Sequence, residues 1–258
     1  MIDLVAAEFL KLRSTRTALG LLIAALLVSV VPAILVLVFA PADFLEDESV
    51  GGIGLVVAGV TLVPLLGLVF GILSMTNEYR HGTVTYSYLV TPRRARVIVA
   101  KLLVCFVVGV VVLALAGALV TLTGLVGYEV RGLELELSPL FDDGVAQTLV
   151  LVLVTAGLMA SFGVGLGALF RNQPATVAGT LIWALAVESI VVGLKPRIGQ
   201  YLPFAALDQV VAGGVTIGAE TEAAQIGLSR PAAFLISLAY IAVVSIAAVY
   251  TTMRRDVT

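Results

Sequence analysis

Residues Leu102–Tyr128 read LLVCFVVGVVVLALAGALVTLTGLVGY, 27 residues without a charge. An α-helix rises about 1.5 Å per residue, so about 20 apolar residues cross a hydrocarbon core roughly 30 Å thick. No water inside that core can satisfy the backbone, whereas a helix pairs its own N–H and C=O groups. This run is a membrane-spanning helix. Five more flank it: Ala18–Ala40, Val50–Asn77, Gly144–Phe170, Asn172–Val187 (continuing past Glu188 to Leu194) and Pro231–Met253. The one starting at Asn172 reaches spanning length only if the carboxylate is tolerated inside it.

The pattern predicts an all-α polytopic membrane protein with one membrane domain over 1–258. Its expected elements are an N-terminal interfacial helix at 1–16 and six transmembrane helices at 18–40, 51–77, 99–126, 145–170, 173–194 and 231–253. A short helix at 83–91 follows the second span, and a segment at 198–220 precedes the last. Pro32 and Pro64 fall within the first two spans, where proline removes a backbone donor and kinks a helix. Ser229-Arg230-Pro231 is a helix start, with serine as cap and proline in the first turn.

The flanking charges orient the chain. With the N-terminus in the cytoplasm, Lys11, Arg13, Arg16, Arg80, Arg93, Arg94, Arg96, Lys101, Arg171, Arg254 and Arg255 fall inside, 11 of the 15 basic residues. Only Arg131, Lys195, Arg197 and Arg230 fall outside, and a cytoplasmic excess of Lys and Arg is the orienting signal. The expected location is the cell membrane, multi-pass, with both termini cytoplasmic. The start of the chain does not read as a cleavable signal peptide, because its charges are mixed and its apolar stretch is too long.

Composition narrows the function. Hydrophobic residues make up 60% and charged residues 12%, against about 25% charged in soluble domains. A net charge of −2 gives no nucleic-acid surface. The single cysteine, Cys105, lies inside the third span and excludes a disulfide framework. In 1–16, Ile2, Val5, Phe9 and Leu12 recur at helical spacing, which fits a helix lying in the headgroup plane with its basic residues toward anionic lipid; a plain extension of the first span fits as well. Between Lys195 and Arg230, Ile198–Leu207 and Gln209–Ala219 are uncharged but too short to cross. They read as external re-entrant segments, broken at Pro203.

The loop after the second span carries the sharpest signal: Glu78-Tyr79-Arg80-His81-Gly82-Thr83, then Val84 to Pro92 and Arg93, Arg94 and Arg96. Gly82 permits a sharp turn, Thr83 can cap a new helix, and Pro92 ends it near Thr91. Val84, Tyr88 and Leu89 form one apolar edge. On physics alone, that edge either rests on lipid headgroups or seats in a partner.

This loop, with Leu89, Pro92, Arg93, Arg96 and Lys101, resembles the hallmark cytoplasmic loop of ABC-2-type transporter permeases. The six spans, the opening Glu8-Phe9-Leu10-Lys11-Leu12-Arg13-Ser14 and the ending Arg254-Arg255-Asp256 are similar too. The resemblance implies that 83–91 is a coupling helix seated in a separate ATP-binding subunit, contacted through Glu78, Tyr79, Arg80, His81, Gly82, Thr83, Val84, Tyr88, Leu89 and Pro92. Arg93, Arg94, Arg96 and Lys101 would anchor the loop to the membrane surface. It also implies two ATPase subunits, a second permease chain, identical or related, and export of a lipophilic drug, antibiotic or lipid-linked compound. ATP and Mg would sit on the partner.

Residue content narrows the alternatives. A phosphate loop needs a Gly-Lys pair, but Lys11, Lys101 and Lys195 follow Leu10, Ala100 and Leu194, so the chain is expected not to be an enzyme. The single histidine, His81, lies in the loop, away from Ser161 in the fourth span, which leaves a serine protease without its base. No clustered metal ligands stand out. The competing function is a non-transporting scaffold or sensor subunit. Glu188, about 24 Å along its span, either snorkels outward or pairs with Lys195, or else contacts an exit path. Small residues at Gly67 and Gly71, and at Gly157, Ser161, Gly165 and Ala168, mark close helix packing within the chain or a dimer seam.

Overall fold

The computed structural model describes residues 2–45, 55–56, 59–83, 94–133, 143–212 and 227–254. Among them, regular structure is helical, without strands. In chain order the main helices are α1 (Ile2–Ser14), α2 (Arg16–Phe39), α3 (Ala42–Leu45), α4 (Val63–Arg80), α5 (Arg94–Val130), α6 (Asp143–Phe170), α7 (Gln173–Leu194), α8 (Pro196–Gly199), α9 (Pro203–Ala212) and α10 (Arg230–Arg254).

Among the described residues, five helices are long and apolar enough to cross a membrane: α2, α5, α6, α7 and α10. The chain is thus a multi-pass membrane protein. The expected second span is represented by α4, which has 18 residues and ends on Glu78, Tyr79 and Arg80. Pro64 sits at an interruption of the expected run, since Thr61 and Leu62 form a turn between the helical residues 59–60 and α4. It occupies the first turn after Leu62, where a missing N–H costs nothing. Pro32 lies inside the unbroken α2.

α6 is the most buried of the long helices and α7 the least. It packs against α4, α5, α10 and α9, and glycines set the approach. A Cβ on Gly71 would run into the Ala160 carbonyl oxygen, and one on Gly163 into the Leu68 carbonyl oxygen. These two glycines face each other's helix, so backbone meets backbone between α4 and α6. Gly157 and Gly165 instead receive the Phe106 ring of α5 and Val244 of α10. The small residues thus serve packing within one chain. The apolar core is built here from Leu68, Ile72, Leu158, Phe162, Leu207 and Ile241.

The turn from α6 to α7 takes two residues. Arg171 adopts a left-handed φ of 56°, and Asn172 caps α7 by accepting from Ala175 N at 3.2 Å. Midway, Trp183–Val187 forms a π turn, a widening that re-aims the following side chains. Beyond α7, α8 and α9 are too short to cross. The break expected at Pro203 is present: α8 ends at Gly199 and α9 opens on Pro203, whose neighbour Phe204 meets the Phe162 ring of α6 edge-on, with centroids 5.6 Å apart. α10 begins directly after Ser229.

Candidate functional site

Where α4 ends, four charged side chains converge. Lys101 Nζ donates to Glu8 Oε2 at 2.5 Å and to Glu78 Oε1 at 2.9 Å. Lys11 Nζ reaches Glu8 Oε1 at 2.6 Å and Glu78 Oε1 at 3.2 Å. Three helices meet in this cluster: α1 supplies Glu8 and Lys11, α4 supplies Glu78, and α5 supplies Lys101. Two carboxylates face two ammonium groups, so the cluster is formally neutral. The Lys101 and Glu8 side chains are 2% and 1% exposed, and ions so desolvated persist only when paired and hydrogen-bonded. Burial pushes the Glu8 carboxyl up, but Lys101 beside it, helped by Lys11, holds it below the ordinary carboxylate range.

Two expectations change here. Lys101 does not anchor the loop at the membrane surface; it lies in the protein interior, because two carboxylates on other helices await it there. The polar side of α1 likewise turns inward: Glu8 is buried, while Phe9 and Leu10 are 51% and 61% exposed. The basic residue Lys11 therefore meets carboxylates of its own chain. Pairing of buried charge outweighs the amphipathic pattern. Glu78 also faces inward, and its second oxygen, Oε2, is buried without a hydrogen-bond partner among the described residues.

The residues after Glu78 hold the end of α4. Tyr79 presents its ring to the Arg171 guanidinium, 5.1 Å from the ring centroid, a cation–π contact. Arg80 Nη1 donates to Gln173 Oε1 at 3.4 Å. His81 Nδ1 donates to the Asn77 carbonyl oxygen at 2.9 Å. Gly82 then takes φ +66°, the left-handed conformation that ends a helix and that a Cβ would disfavour. Thr83 Oγ1 returns to the Glu78 carbonyl oxygen at 3.5 Å. His81, Gly82 and Thr83 are exposed, as is Arg96. Val84, Tyr88, Leu89, Pro92 and Arg93 lie outside the described residues, as do the side chain of Arg94 and nearly all of the predicted helix at 83–91.

At the other end of α7, Glu188 is 2% exposed. Its carboxylate accepts from Phe204 N at 3.0 Å and Ala205 N at 2.9 Å, and from Trp183 Nε1 at 2.7 Å. It neither snorkels outward nor pairs with Lys195, which is exposed. Instead the carboxylate caps α9, where free N–H groups and the helix dipole favour negative charge. The π turn contributes the indole donor. Trp183, Glu8 and Lys11 are members of these two sites that residue patterns alone did not single out.

No group of three or more metal-ligating side chains occurs among the described residues. The arrangement makes chemical sense as mechanical fastening: two buried carboxylates tie segments distant in sequence to the ends of membrane helices. No curated protein matches the chain. The family model described as ABC-2 family transporter protein matches residues 4–187, which include α1, the charge cluster, the loop and most of α7. With more than two thirds of its length matched, the chain belongs to the ABC-2 transporter family.

Proposed function

We propose that this chain is the permease subunit of an ATP-binding cassette exporter, carrying a lipophilic substrate across the membrane while a separate subunit hydrolyses ATP. The observation that carries the reading is the Glu8–Lys11–Glu78–Lys101 cluster at the base of the loop. A load applied to the segment after Gly82 reaches α4 through Glu78, and that carboxylate is fastened to both α5 and α1. Force at the loop therefore moves three helices together. An effector shifts an equilibrium only by binding two states differently, so the ATPase must grip the loop differently before and after hydrolysis. Val84, Tyr88 and Leu89 supply the apolar contact in this scheme, and Arg93, Arg94 and Arg96 meet the headgroups. ATP and Mg belong to two partner subunits, and a second permease chain completes the pathway.

The orientation follows the arginines, with the loop and both termini in the cytoplasm and α9 on the exit side. There Glu188 and its grip on α9 form part of the exit. Glu188→Gln leaves a folded protein with altered export.

Co-expression with an ATP-binding subunit tests the reading. The pair should co-purify and show ATPase activity that neither shows alone. Val84→Asp combined with Leu89→Asp should lose the ATPase, or uncouple hydrolysis from export, while the membrane domain stays folded. A double variant that assembles and exports at the normal rate defeats the coupling assignment and favours a scaffold or sensor subunit.

A further inference from the structure

Between α1, the start of α2, α4 and α5 lies a cavity of about 280 Å³. Its walls include Phe9, Leu22, Val63, Phe70 and Val108, and Arg13 is the single charged side chain lining it. The mouth opens at the outer surface of the chain, where Leu19 and Phe9 are 61% and 51% exposed.

Water is a poor occupant, since an apolar cavity offers it no hydrogen bonds and such cavities stay dry. Left empty, the lining atoms lose their dispersion partners. A lipid tail enters from neighbouring hydrocarbon without any change in hydration, so packing alone decides whether it stays. The cavity follows α2 from Ala18 to Ala25, a rise of roughly 10 Å, which suits part of one acyl chain.

Arg13 selects the headgroup. It lies in the last turn of α1, just before the span that starts at Arg16, and a charge there stays at the boundary of water and lipid. It is exposed and makes no ion pair among the described residues. A guanidinium matches phosphate oxygens in a fork that an ammonium cannot offer. We propose that an anionic membrane phospholipid resides here, one acyl chain in the cavity and its phosphate on Arg13. The site does not depend on transport, and its test involves none.

The full chain is reconstituted in phosphatidylcholine vesicles containing phosphatidylglycerol with a diazirine near the end of one acyl chain, then irradiated and mapped by peptide mass spectrometry. Crosslinks should concentrate on the segments around Leu22, Val63 and Val108, and unlabelled phosphatidylglycerol should compete them away. Ala18→Phe, which fills the cavity, should lose these crosslinks while keeping the wild-type melting temperature. Arg13→Gln should reduce labelling to the level of a phosphatidylcholine probe with the same diazirine. Crosslinks spread evenly over lipid-facing helices of the wild type overturn the site, whatever the variants do. Equal wild-type labelling by the two probes overturns the headgroup assignment, and a non-phospholipid lipophile retained in native mass spectra overturns the occupant.

Discussion

Lys101 Nζ sits 2.9 Å from Glu78 Oε1, joining two helices across 23 positions of sequence in a place that solvent barely reaches. A pair of that kind is costly to break on one side. Attraction between the ions offsets most of their desolvation, so removing one partner strands the others in the interior.

Lys101→Met should therefore be among the most damaging single changes to this chain. It leaves Glu8 and Glu78 facing each other with only the half-exposed Lys11 between them. The expected loss is about 3–5 kcal/mol, typical of an orphaned buried charge. The triple variant Glu8→Gln, Glu78→Gln, Lys101→Met carries no such charge and should recover much of it. Thermal unfolding in detergent, followed by the reactivity of the buried Cys105, ranks the three proteins. A triple variant no better than the single one would rule out stranded charge as the cause.

The same cluster sets an acid limit. Because the Glu8 carboxyl is held below its ordinary value of 4.5, the folded protein binds that proton more weakly than the unfolded chain. Stability thus rises with pH through this region. Its contribution is complete above the unfolded value and is lost as pH falls through the lowered folded one. Melting curves taken on acidification should show the wild type weakening below about 4.5, with proteolysis first appearing in α1. Glu8→Gln should start less stable and show a flatter profile. An identical pH profile in the two proteins would contradict the assignment.

Close backbone contact between α4 and α6 gives a third expectation. Gly163→Ala and Gly71→Ala each place a methyl group against a carbonyl oxygen of the facing helix, and should cost about 1–3 kcal/mol or more as the helices part. Gly20→Ala, where nothing lies within 4 Å, should be neutral or slightly stabilising, since alanine is the better helix former. Equal melting temperatures for Gly163→Ala and Gly20→Ala would show that the helices can separate at no cost.

Glu188 should reveal itself through α9. Hydrogen bonds to an ionised group contribute about 1.5–3 kcal/mol, and this carboxylate makes them to Phe204 N, Ala205 N and the indole of Trp183. Glu188→Ala should raise hydrogen exchange across 203–212 by at least tenfold, which corresponds to about 1.4 kcal/mol of local opening. Trp183→Phe should give a smaller increase. Exchange there that is unmoved by Glu188→Ala would mean that Phe162 and Phe204 alone hold the segment.

Much of the architecture is legible from residue types, because lipid imposes a length and a composition on whatever crosses it. α2, α5, α6 and α10 follow from uncharged runs, α7 follows only once Glu188 is allowed inside its run, and Ser229 marks the start of the last helix within one residue. Pro64 does mark an interruption of its run, although a proline that opens a helix and one that kinks it look alike until the helix start is known. The charge cluster was half visible. Lys101 stands inside its own span, which reads equally well as a snorkelling side chain, and nothing local announces that Glu8 and Glu78 are its partners. Glu188 was visible as an anomaly, but its ligands are backbone N–H groups 16 and 17 positions onward, and those carry no residue identity to read. The small residues marked close packing, yet the decisive glycine on α6 was Gly163, which lies off the face that Gly157 and Gly165 define.

The separation of Glu8 from Lys101 also has a meaning for biogenesis. The two are 93 positions apart, and translation at about 5–20 residues per second leaves roughly 5–20 s between their syntheses. Throughout that interval α1 has no ammonium from α5 to bind. Its docking must await insertion of a helix made much later, so nascent chains arrested before Lys101 leaves the ribosome should carry α1 open to protease, while longer ones should protect it.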